Sequence, residues 1–259
     1  MSKIYESDVE NFVITLLEKQ GYTYLSPEDQ EEERQDLSDV VLRERLKKAI
    51  DLLNPNIPEE ARDQALREVL NLPSQNLIEN NESFHKMLTD GVGVEYQKNG
   101  ETIGDQVLLV DFKEPKNNDL LVCNQFTVAE DNQNRRPDVM LLINGLPLVI
   151  IELKNPTDEK ATVHKAFTQL QNYKNAIPSL FQYNGVLVAS DGLDAKTGSL
   201  TAGWEWFMPW KTVDGVREDK KTTPQIETLI KGMLRPDILL DLIKQFTVFE
   251  KTKTINPVT

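Results

Sequence analysis

Three residues that could together cleave a phosphodiester bond lie near one another in the chain: Asp138, Glu152 and Lys154. Asp138 opens one apolar run and the other two residues end the next, with Asn144-Gly145 between the runs. An Asn-Gly pair between apolar runs is a strong hairpin signal, and a hairpin places the start of its first strand beside the end of its second. The sequence therefore predicts that two carboxylates and an ammonium group meet at one end of a β-hairpin.

These groups suit metal-assisted hydrolysis. Mg²⁺ prefers carboxylate oxygens and keeps several waters, and when bound it can activate a water and relieve charge on a phosphate. We therefore predict Asp138 and Glu152 as metal ligands, with the backbone carbonyl of Leu153 as a third oxygen ligand. Lys154 follows Glu152 by two positions, so both side chains leave the same face of a strand. Its ammonium group can orient the attacking water and stabilise developing charge.

A salt bridge at the strand ends would also explain this spacing. An Asp followed by Glu-x-Lys occurs by chance in many proteins, so the residue types alone do not decide between the two interpretations. The context favours a site, because Asp138 follows a proline and the polar residues interrupt runs that are otherwise strongly apolar.

The next predicted helix carries polar residues that could act near the site. Gln169 and Tyr173 are four positions apart and share a helix face, and with Lys165 they could reach a DNA backbone. The alternative is that Phe167, Leu170 and Tyr173 simply pack on the sheet.

The first predicted helix carries two further candidates, Glu6 and Glu10, either of which could be an extra metal ligand. A role at the surface or in capping is the alternative for both. In particular, Ser7 and Glu10 have the spacing of a capping box at the start of this helix.

The charge distribution along the chain bears on nucleic-acid binding. The 259 residues carry a net charge of −13, which by itself argues against phosphate contacts. Residues 1–50 hold 12 acids against 7 bases, whereas residues 131–180 hold 6 bases against 5 acids. The candidate site thus lies in the least acidic part of the chain, and we expect another domain or subunit to supply most of the DNA affinity.

Composition predicts a soluble, cytoplasmic protein. Its single cysteine, Cys123, has no internal partner for a disulfide, which fits a reducing compartment. The chain opens without a signal peptide, and its longest apolar runs are too short to span a membrane.

The predicted elements indicate an α/β fold around one central mixed sheet flanked by helices, with helical additions at the N-terminus. Helices are predicted at 7–20, 37–53, 58–71, 158–175 and 223–248, the last interrupted by Gly232 and Pro236, with an exposed acidic loop at 26–36. Strands are predicted at 91–96, 106–112, 126–130, 137–143, 147–153 and 184–190, and an aromatic edge at 204–208.

Together these residues resemble a known superfamily. Pro137-Asp138, Glu152-Leu153-Lys154 and Gln169-x-x-x-Tyr173 look like the PD-(D/E)xK nuclease motif with its QxxxY helix. More closely, "RPDVMLLINGLPLVIIELKNP", "AFTQLQNYKNAIPSLFQYNGVLVASDG", "WEWFMPWKTVDG" and "LLDLIKQFTVFE" resemble, in that order, the N-terminal region of the restriction (R) subunit of type I restriction-modification enzymes.

The resemblance implies an Mg²⁺-dependent endonuclease acting on double-stranded DNA, with Asp138 and Glu152 as metal ligands, Lys154 catalytic, and Gln169 and Tyr173 accessory. In that family the R subunit continues into an ATP-driven motor and works with methyltransferase (M) and specificity (S) subunits. On this basis residues 1–215 are expected to form the endonuclease domain, with a helical insertion at about 26–80 and a catalytic core at about 106–190. Residues 216–259 are expected to form a helical segment leading to motor domains absent from the chain.

Two other functions remain open at this stage. The chain could be a catalytically silent or regulatory module that docks on a helicase, or a repair or recombination nuclease with the same motif. Metal binding would distinguish a nuclease from a docking module, and DNA end or site preference would identify a repair enzyme.

Overall fold

A computed structural model of the protein describes residues 5–155 and 162–250. The helices are α1 (Glu6–Lys19), α2 (Pro27–Glu32), α3 (Arg43–Leu53), α4 (Glu59–Leu70), α5 (Leu77–Asp90), α6 (Val163–Ala176), α7 (Pro178–Phe181), α8 (Gln225–Gly232) and α9 (Pro236–Phe246). The strands are β1 (Thr23–Leu25), β2 (Val92–Lys98), β3 (Glu101–Val107), β4 (Leu120–Asn124), β5 (Val128–Glu130), β6 (Gln133–Arg135), β7 (Val139–Ile143), β8 (Leu146–Leu153), β9 (Val186–Ser190) and β10 (Ala195–Gly198).

The central sheet has six strands in the order β1-β4-β7-β8-β9-β10. β1 runs parallel to β4, and β8 runs parallel to β9, while the other neighbours are antiparallel. Helices α1 and α6 pack against this sheet. The prediction of an α/β fold with a central mixed sheet flanked by helices is confirmed, and it agrees with a PD-(D/E)xK-like core.

The β7–β8 hairpin forms as predicted, and its turn explains why. Asn144 and Gly145 both have positive φ, 53° and 80°, which is the geometry of the tight turn that Asn-Gly favours. Every residue of both strands is buried, as expected for strands covered on both faces. Val139 pairs with Ile151, so the next residues outward, Asp138 and Glu152, lie side by side at the open end of the hairpin.

The start of α1 differs from the predicted capping box. Tyr5 precedes the helix, and its backbone N–H donates to the Asp8 carboxylate at 2.7 Å, so Ser7 lies within the helix instead of capping it. The capping role therefore falls two positions earlier than predicted, and Glu10 is left to make other contacts.

The acidic segment 26–36 was wrongly predicted as a loop. Ser26 caps α2 by accepting a hydrogen bond from the Asp29 backbone N–H at 3.2 Å, and the Asp29 carboxylate lies near the Ser26 N–H in return. Gln30 is buried and donates to the carbonyls of Leu25 and Asn124, which fastens this short helix to the sheet.

The region between residues 77 and 124 shows the largest differences from prediction. A helix, α5, continues the helical part past residue 80, and the expected strand at 106–112 is replaced by β3, which pairs with β2 in a separate two-stranded sheet. The unpredicted strand β4 joins the central sheet between β1 and β7. Most residues of β2 and β3 are exposed, so apolar and polar residues alternate only weakly along these strands. The sequence pattern therefore did not locate the ends of the two strands correctly.

The remaining predicted helices are present, although α3 begins only at Arg43 within the predicted range 37–53. Within the predicted helix 158–175, positions 158–161 lie outside the described residues, and α6 begins at Val163. The predicted interruption near Gly232 and Pro236 separates α8 from α9. Of the predicted aromatic edge, residues 204–206 form a 3₁₀ turn. Met208 forms an antiparallel bridge with Thr197 of β10, the last strand of the central sheet.

The C-terminal helices pack on the body of the protein. α8 contacts α1 and β10, and the Tyr22 hydroxyl donates to the Leu234 carbonyl at 2.9 Å. Of the predicted segment 216–259, positions 251–259 lie outside the described residues. Across the part of the chain that is described, no helix is long and apolar enough to cross a membrane.

The two Asn-Gly turns provide a test of how the hairpin is held. Gly145 and Gly100 both have positive φ, but an added Cβ at Gly145 would lie 2.5 Å from the Leu42 carbonyl oxygen, whereas Gly100 faces open space. Gly100→Ala should lower the free energy of unfolding by about 1–2 kcal/mol, from backbone strain alone. Gly145→Ala should lower it by roughly twice that amount, because the clash adds to the strain. Urea denaturation of both variants measures the difference, and equal losses would contradict this account.

Candidate active site

Asp138, Glu152 and Lys154 meet at the open end of the β7–β8 hairpin and line one cavity of about 860 Å³. The Leu153 backbone N–H donates to Asp138 Oδ2 at 2.7 Å, which ties the start of one strand to the end of the next. Lys154 Nζ donates to Glu152 Oε1 at 2.6 Å and to the Leu153 carbonyl oxygen at 2.9 Å. The hairpin register therefore brings the predicted carboxylates, carbonyl and ammonium group together.

The Lys154 backbone is held by the neighbouring strand. Its N–H donates to the Ser190 carbonyl at 2.9 Å, one position beyond the end of β8. Since Leu153 pairs with Ser190 in the parallel β8–β9 ladder, the sheet itself orients Lys154 toward the cavity. Its side chain is only 18% exposed, so the ammonium group lies largely below the protein surface.

Glu152 is the most unusual group in the cavity. It is fully buried, and its Oε2 accepts no hydrogen bond from any described residue. Burial, followed by the negative charge of Asp138, raises the pKa of Glu152 to about 8, against the lowering effect of Lys154. An oxygen in this state is suited to a cation, which would supply the missing partner and favour the ionised carboxylate.

The donor set fits Mg²⁺ better than a metal that needs a full protein cage. Within residues 5–155 and 162–250, no group of three or more His, Cys, Asp or Glu side chains is arranged to hold an ion. Asp138 and Glu152 offer carboxylate oxygens, and the Leu153 carbonyl lies within reach of the same ammonium group that contacts Glu152. Mg²⁺ commonly takes one or two carboxylates and keeps waters in its remaining positions.

Gln169 and Tyr173 form a connected pair on α6 and line the cavity. The Gln169 side-chain amide donates to the Tyr173 hydroxyl at 2.6 Å, and that hydroxyl donates to the Arg136 carbonyl at 3.3 Å. Burial, followed by the nearby charge of Glu152, raises the pKa of Tyr173 to about 12, so its hydroxyl keeps its proton. The pair thus supports the backbone two residues before Asp138.

The other candidates are placed differently. Lys165 is exposed one turn before Gln169 and lies outside the cavity lining, so the sequence grouping of Lys165 with that pair is not reproduced. Glu6 begins α1, and its side chain lies outside what the structure describes. Glu10, in contrast, is buried and lines the cavity.

Glu10 receives hydrogen bonds only from amide groups in the described contacts. The Asn124 side chain donates to Oε2 at 3.0 Å, and the Gln125 side chain donates to both oxygens at 2.9 and 3.0 Å. Neither amide was singled out from the sequence, because each lies more than a hundred positions from Glu10 in the chain.

One wall of the cavity was missed entirely by sequence reasoning. It is formed by β6 and the residue that follows it, and its lining residues are Gln133, Asn134, Arg135 and Arg136. Asp131 and Asn132 turn the β5–β6 hairpin with positive φ, a signal that the sequence did contain. Glu130 anchors the hairpin by accepting two hydrogen bonds from Ser179, at 3.0 and 2.6 Å.

A larger cavity, about 1090 Å³, lies at the turn end of the β7–β8 hairpin around Asn144. One of its lining cations, Arg45, is paired with both Glu33 and Asp119. Asn144 there bonds to the Leu109 carbonyl and to Asn118. Because Arg45 and Asn144 are paired in this way, the cavity that holds the buried Glu152 carboxyl group beside Asp138 and Lys154 is the better candidate for chemistry.

Comparison with known proteins identifies one protein family. The family model of the type I restriction enzyme R protein N terminus matches residues 3–206 of the chain. The matched range contains all the predicted site residues.

Curated relatives agree with this match. The chain is 38% identical over 254 residues to the type I restriction enzyme HindI endonuclease subunit of Haemophilus influenzae, covering 95% of the chain and 24% of that protein. It is 33% identical over 271 residues to the putative type I restriction enzyme MjaIXP endonuclease subunit of Methanocaldococcus jannaschii, covering 95% of the chain and 26% of that protein. The chain therefore spans about a quarter of the length of these two relatives.

The buried Glu152 predicts a pH-dependent stability difference in metal-free buffer. Because its pKa rises from 4.5 to about 8 on folding, its contribution to stability is complete below pH 4.5 and is lost as the pH rises through 8. Glu152→Gln removes the charge and keeps the shape, so above that range the variant should be more stable than the wild type by about 1–3 kcal/mol. The difference should disappear below pH 4.5.

Urea denaturation in EDTA across this pH range measures the effect. A variant that is less stable than the wild type at high pH would show that the ion pair with Lys154 outweighs the burial of Glu152.

Proposed function

Because the chain belongs to the family of the type I restriction enzyme R protein N terminus, we propose that it is a Mg²⁺-dependent nuclease domain that hydrolyses phosphodiester bonds in double-stranded DNA. The observation that carries the proposal is the fully buried carboxyl group of Glu152, held beside Asp138 and Lys154 in an open polar cavity. Such an arrangement destabilises the metal-free fold and is therefore better explained by a ligand than by structure alone.

In this proposal Asp138 and Glu152 hold the metal, and the Leu153 carbonyl offers a further oxygen. Mg²⁺, when bound, supplies an activated water and relieves negative charge on the scissile phosphate. The Leu153 N–H, by donating to Asp138 Oδ2, keeps one carboxylate oxygen fixed at the hairpin end. The chain's own contribution is thus a pair of carboxylates whose backbone positions are set by the register of the hairpin.

Lys154 contributes the positive charge nearest the reacting groups. Its Nζ lies 2.6 Å from a Glu152 oxygen and is mostly buried, so little water screens it. A cation held there can orient the attacking water and stabilise the charge that develops on the phosphate. Gln169 and Tyr173 act indirectly by supporting the backbone at Arg136, and Glu10 adds a third carboxylate to the cavity wall.

The cavity rim suits a DNA backbone despite the net charge of −13. Arg135 and Arg136 provide cations, and amide side chains from β6 and α6 provide neutral donors to phosphate and sugar. We propose that this rim positions DNA over the metal, and that most of the affinity comes from other parts of the assembly.

The relatives leave room for further domains, since the chain corresponds to about a quarter of the length of each. We propose an ATP-driven motor in the same full-length protein, together with methyltransferase (M) and specificity (S) subunits, acting in the cytoplasm. DNA cleavage would then follow translocation by the motor. The alternative functions, a docking module or a repair nuclease, are weighed against this proposal by the tests below.

Replacing the proposed metal ligands or Lys154 should abolish DNA cleavage and leave ATP hydrolysis by the proposed motor unchanged. Asp138→Ala, Glu152→Ala and Lys154→Ala should each reduce DNA cleavage by the intact restriction enzyme by about 100-fold or more, with ATP hydrolysis unchanged. Lys98→Ala, which removes an exposed lysine on β2, should cleave normally. Wild-type cleavage by the Lys154→Ala enzyme would refute the proposed role.

Metal binding separates the nuclease from the docking alternative. Calorimetry with Mn²⁺ on this chain should show a binding site that is lost in Asp138→Asn, which keeps the shape of the side chain and removes its charge. Absence of binding at millimolar metal would support a docking or regulatory role instead.

The role of the rim is tested by salt dependence. The double variant Arg135→Ala/Arg136→Ala should bind DNA more weakly, and the slope of log affinity against log salt should become shallower by about 1–2. The matched control Lys220→Ala/Lys221→Ala removes the same charge from exposed positions outside the cavity and should keep the wild-type slope. Equal slopes in all three proteins would remove the rim from the DNA contact.

A further inference from the structure

Gln125 has a backbone conformation that its side chain does not favour. It follows the last residue of β4 and has a φ of +56°, in the left-handed region that glycine and asparagine adopt more readily. Asp131, Asn132, Asn99 and Asn144, the other non-glycine residues described with positive φ, all lie in hairpin turns. Gln125 is the exception, because it lies at the end of a central strand and lines the active-site cavity.

This residue contacts two carboxylate-bearing segments of the cavity at once. Its backbone N–H donates to the Asp138 carbonyl at 3.1 Å, and its side-chain amide donates to both oxygens of Glu10 at 2.9 and 3.0 Å. Asp138 precedes β7 and Glu10 lies on α1, so a single residue connects the strand that carries a proposed ligand to the helix that carries the third carboxylate.

Asn124 reinforces the same contact. Its side-chain amide donates to Glu10 Oε2 at 3.0 Å, and its own oxygen accepts a hydrogen bond from the Tyr24 hydroxyl at 2.8 Å. The Tyr24 bond fixes which way the Asn124 amide points. Glu10 is thereby held in a buried position by neutral amide donors, which orient its carboxylate.

We infer that Gln125 is a positioning residue for the nuclease site: its strained left-handed backbone lets one residue hold the Asp138 backbone and aim the Glu10 carboxylate into the cavity. The inference rests on the proposed nuclease function and deepens it by giving Glu10 a place in the cavity and assigning the element that keeps it there. Strain at a residue whose surroundings hold it in place is characteristic of functional sites.

A purely structural explanation makes a different prediction. The left-handed turn could serve only to send the next residue, the fully buried Phe126, into the core. Gln125→Gly distinguishes the two, because glycine keeps the turn without strain but has no side chain for Glu10. A structural role predicts an equally active and more stable protein, whereas a positioning role predicts a stable protein with impaired chemistry.

The experiment compares Gln125→Gly and Gln125→Asn in the intact restriction enzyme. Asparagine tolerates the left-handed conformation and keeps the amide, but it is one carbon too short to reach Glu10 in the same way. Both variants should have melting temperatures in EDTA no lower than the wild type, and both should show a fall of about ten-fold in the single-turnover rate of DNA cleavage. Asn99→Gly makes the same backbone change in the β2–β3 turn and should cleave at the wild-type rate.

A double-mutant cycle tests whether the effect passes through Glu10. Glu10→Gln should lower both cleavage and Mn²⁺ affinity, measured by calorimetry, to about the same extent as Gln125→Gly. Adding Gln125→Gly to Glu10→Gln should then cause little further loss. Additive losses, or normal cleavage and Mn²⁺ affinity in Gln125→Gly, would overturn the inference.

Asp138→Ala in the same series separates this inference from the proposed function. If wild type cleaves and Asp138→Ala does not, while Gln125→Gly cleaves normally, the nuclease assignment stands and the role of Gln125 falls. If Asp138→Ala cleaves as well as wild type, both are overturned.

Discussion

The pairing register of the β7–β8 hairpin places two carboxylates side by side, and much of the site's architecture accommodates that fact. Val139 opposes Ile151, so Asp138 and Glu152 are brought together where the strands end. Both strands are buried on both faces, so a slip of one residue would move every side chain to the opposite packed face, where it would not fit its new neighbours. The core therefore holds two carboxyl groups together, and a bound cation is the natural way to stabilise both of them in their ionised form.

The elements around this pair supply orientation and add one cation close to it. β9 holds the Lys154 backbone, α6 supports the backbone at Arg136 through Tyr173, and the end of β4 contacts both the Asp138 backbone and Glu10. Most of these contacts are neutral hydrogen bonds, which fix geometry while leaving the negative charge of the cavity in place. If the site binds Mg²⁺ as proposed, the metal and these neighbours would together stabilise it.

The surface charge of the protein bears on how it would meet DNA. An acidic protein whose cationic rim is limited mainly to Arg135 and Arg136 is expected to hold DNA weakly, and relatives about four times as long have ample chain for further DNA contacts. Weak intrinsic affinity also suits a nuclease that must not cut at random. In this view, delivery of DNA by the rest of the proposed assembly determines when the metal site meets a phosphate.

Local sequence signals determined the central hairpin, the grouping of Asp138, Glu152 and Lys154, and the shared helix face of Gln169 and Tyr173, because each depends on strand or helix periodicity and one turn. The tertiary structure alone decided the rest of the site. Glu10 meets Gln125 across 115 positions of chain, and Ser179 helps to hold the β5–β6 hairpin in place as a cavity wall. Such contacts depend on how α1, β4 and α7 pack around the sheet, and no local pattern encodes that packing.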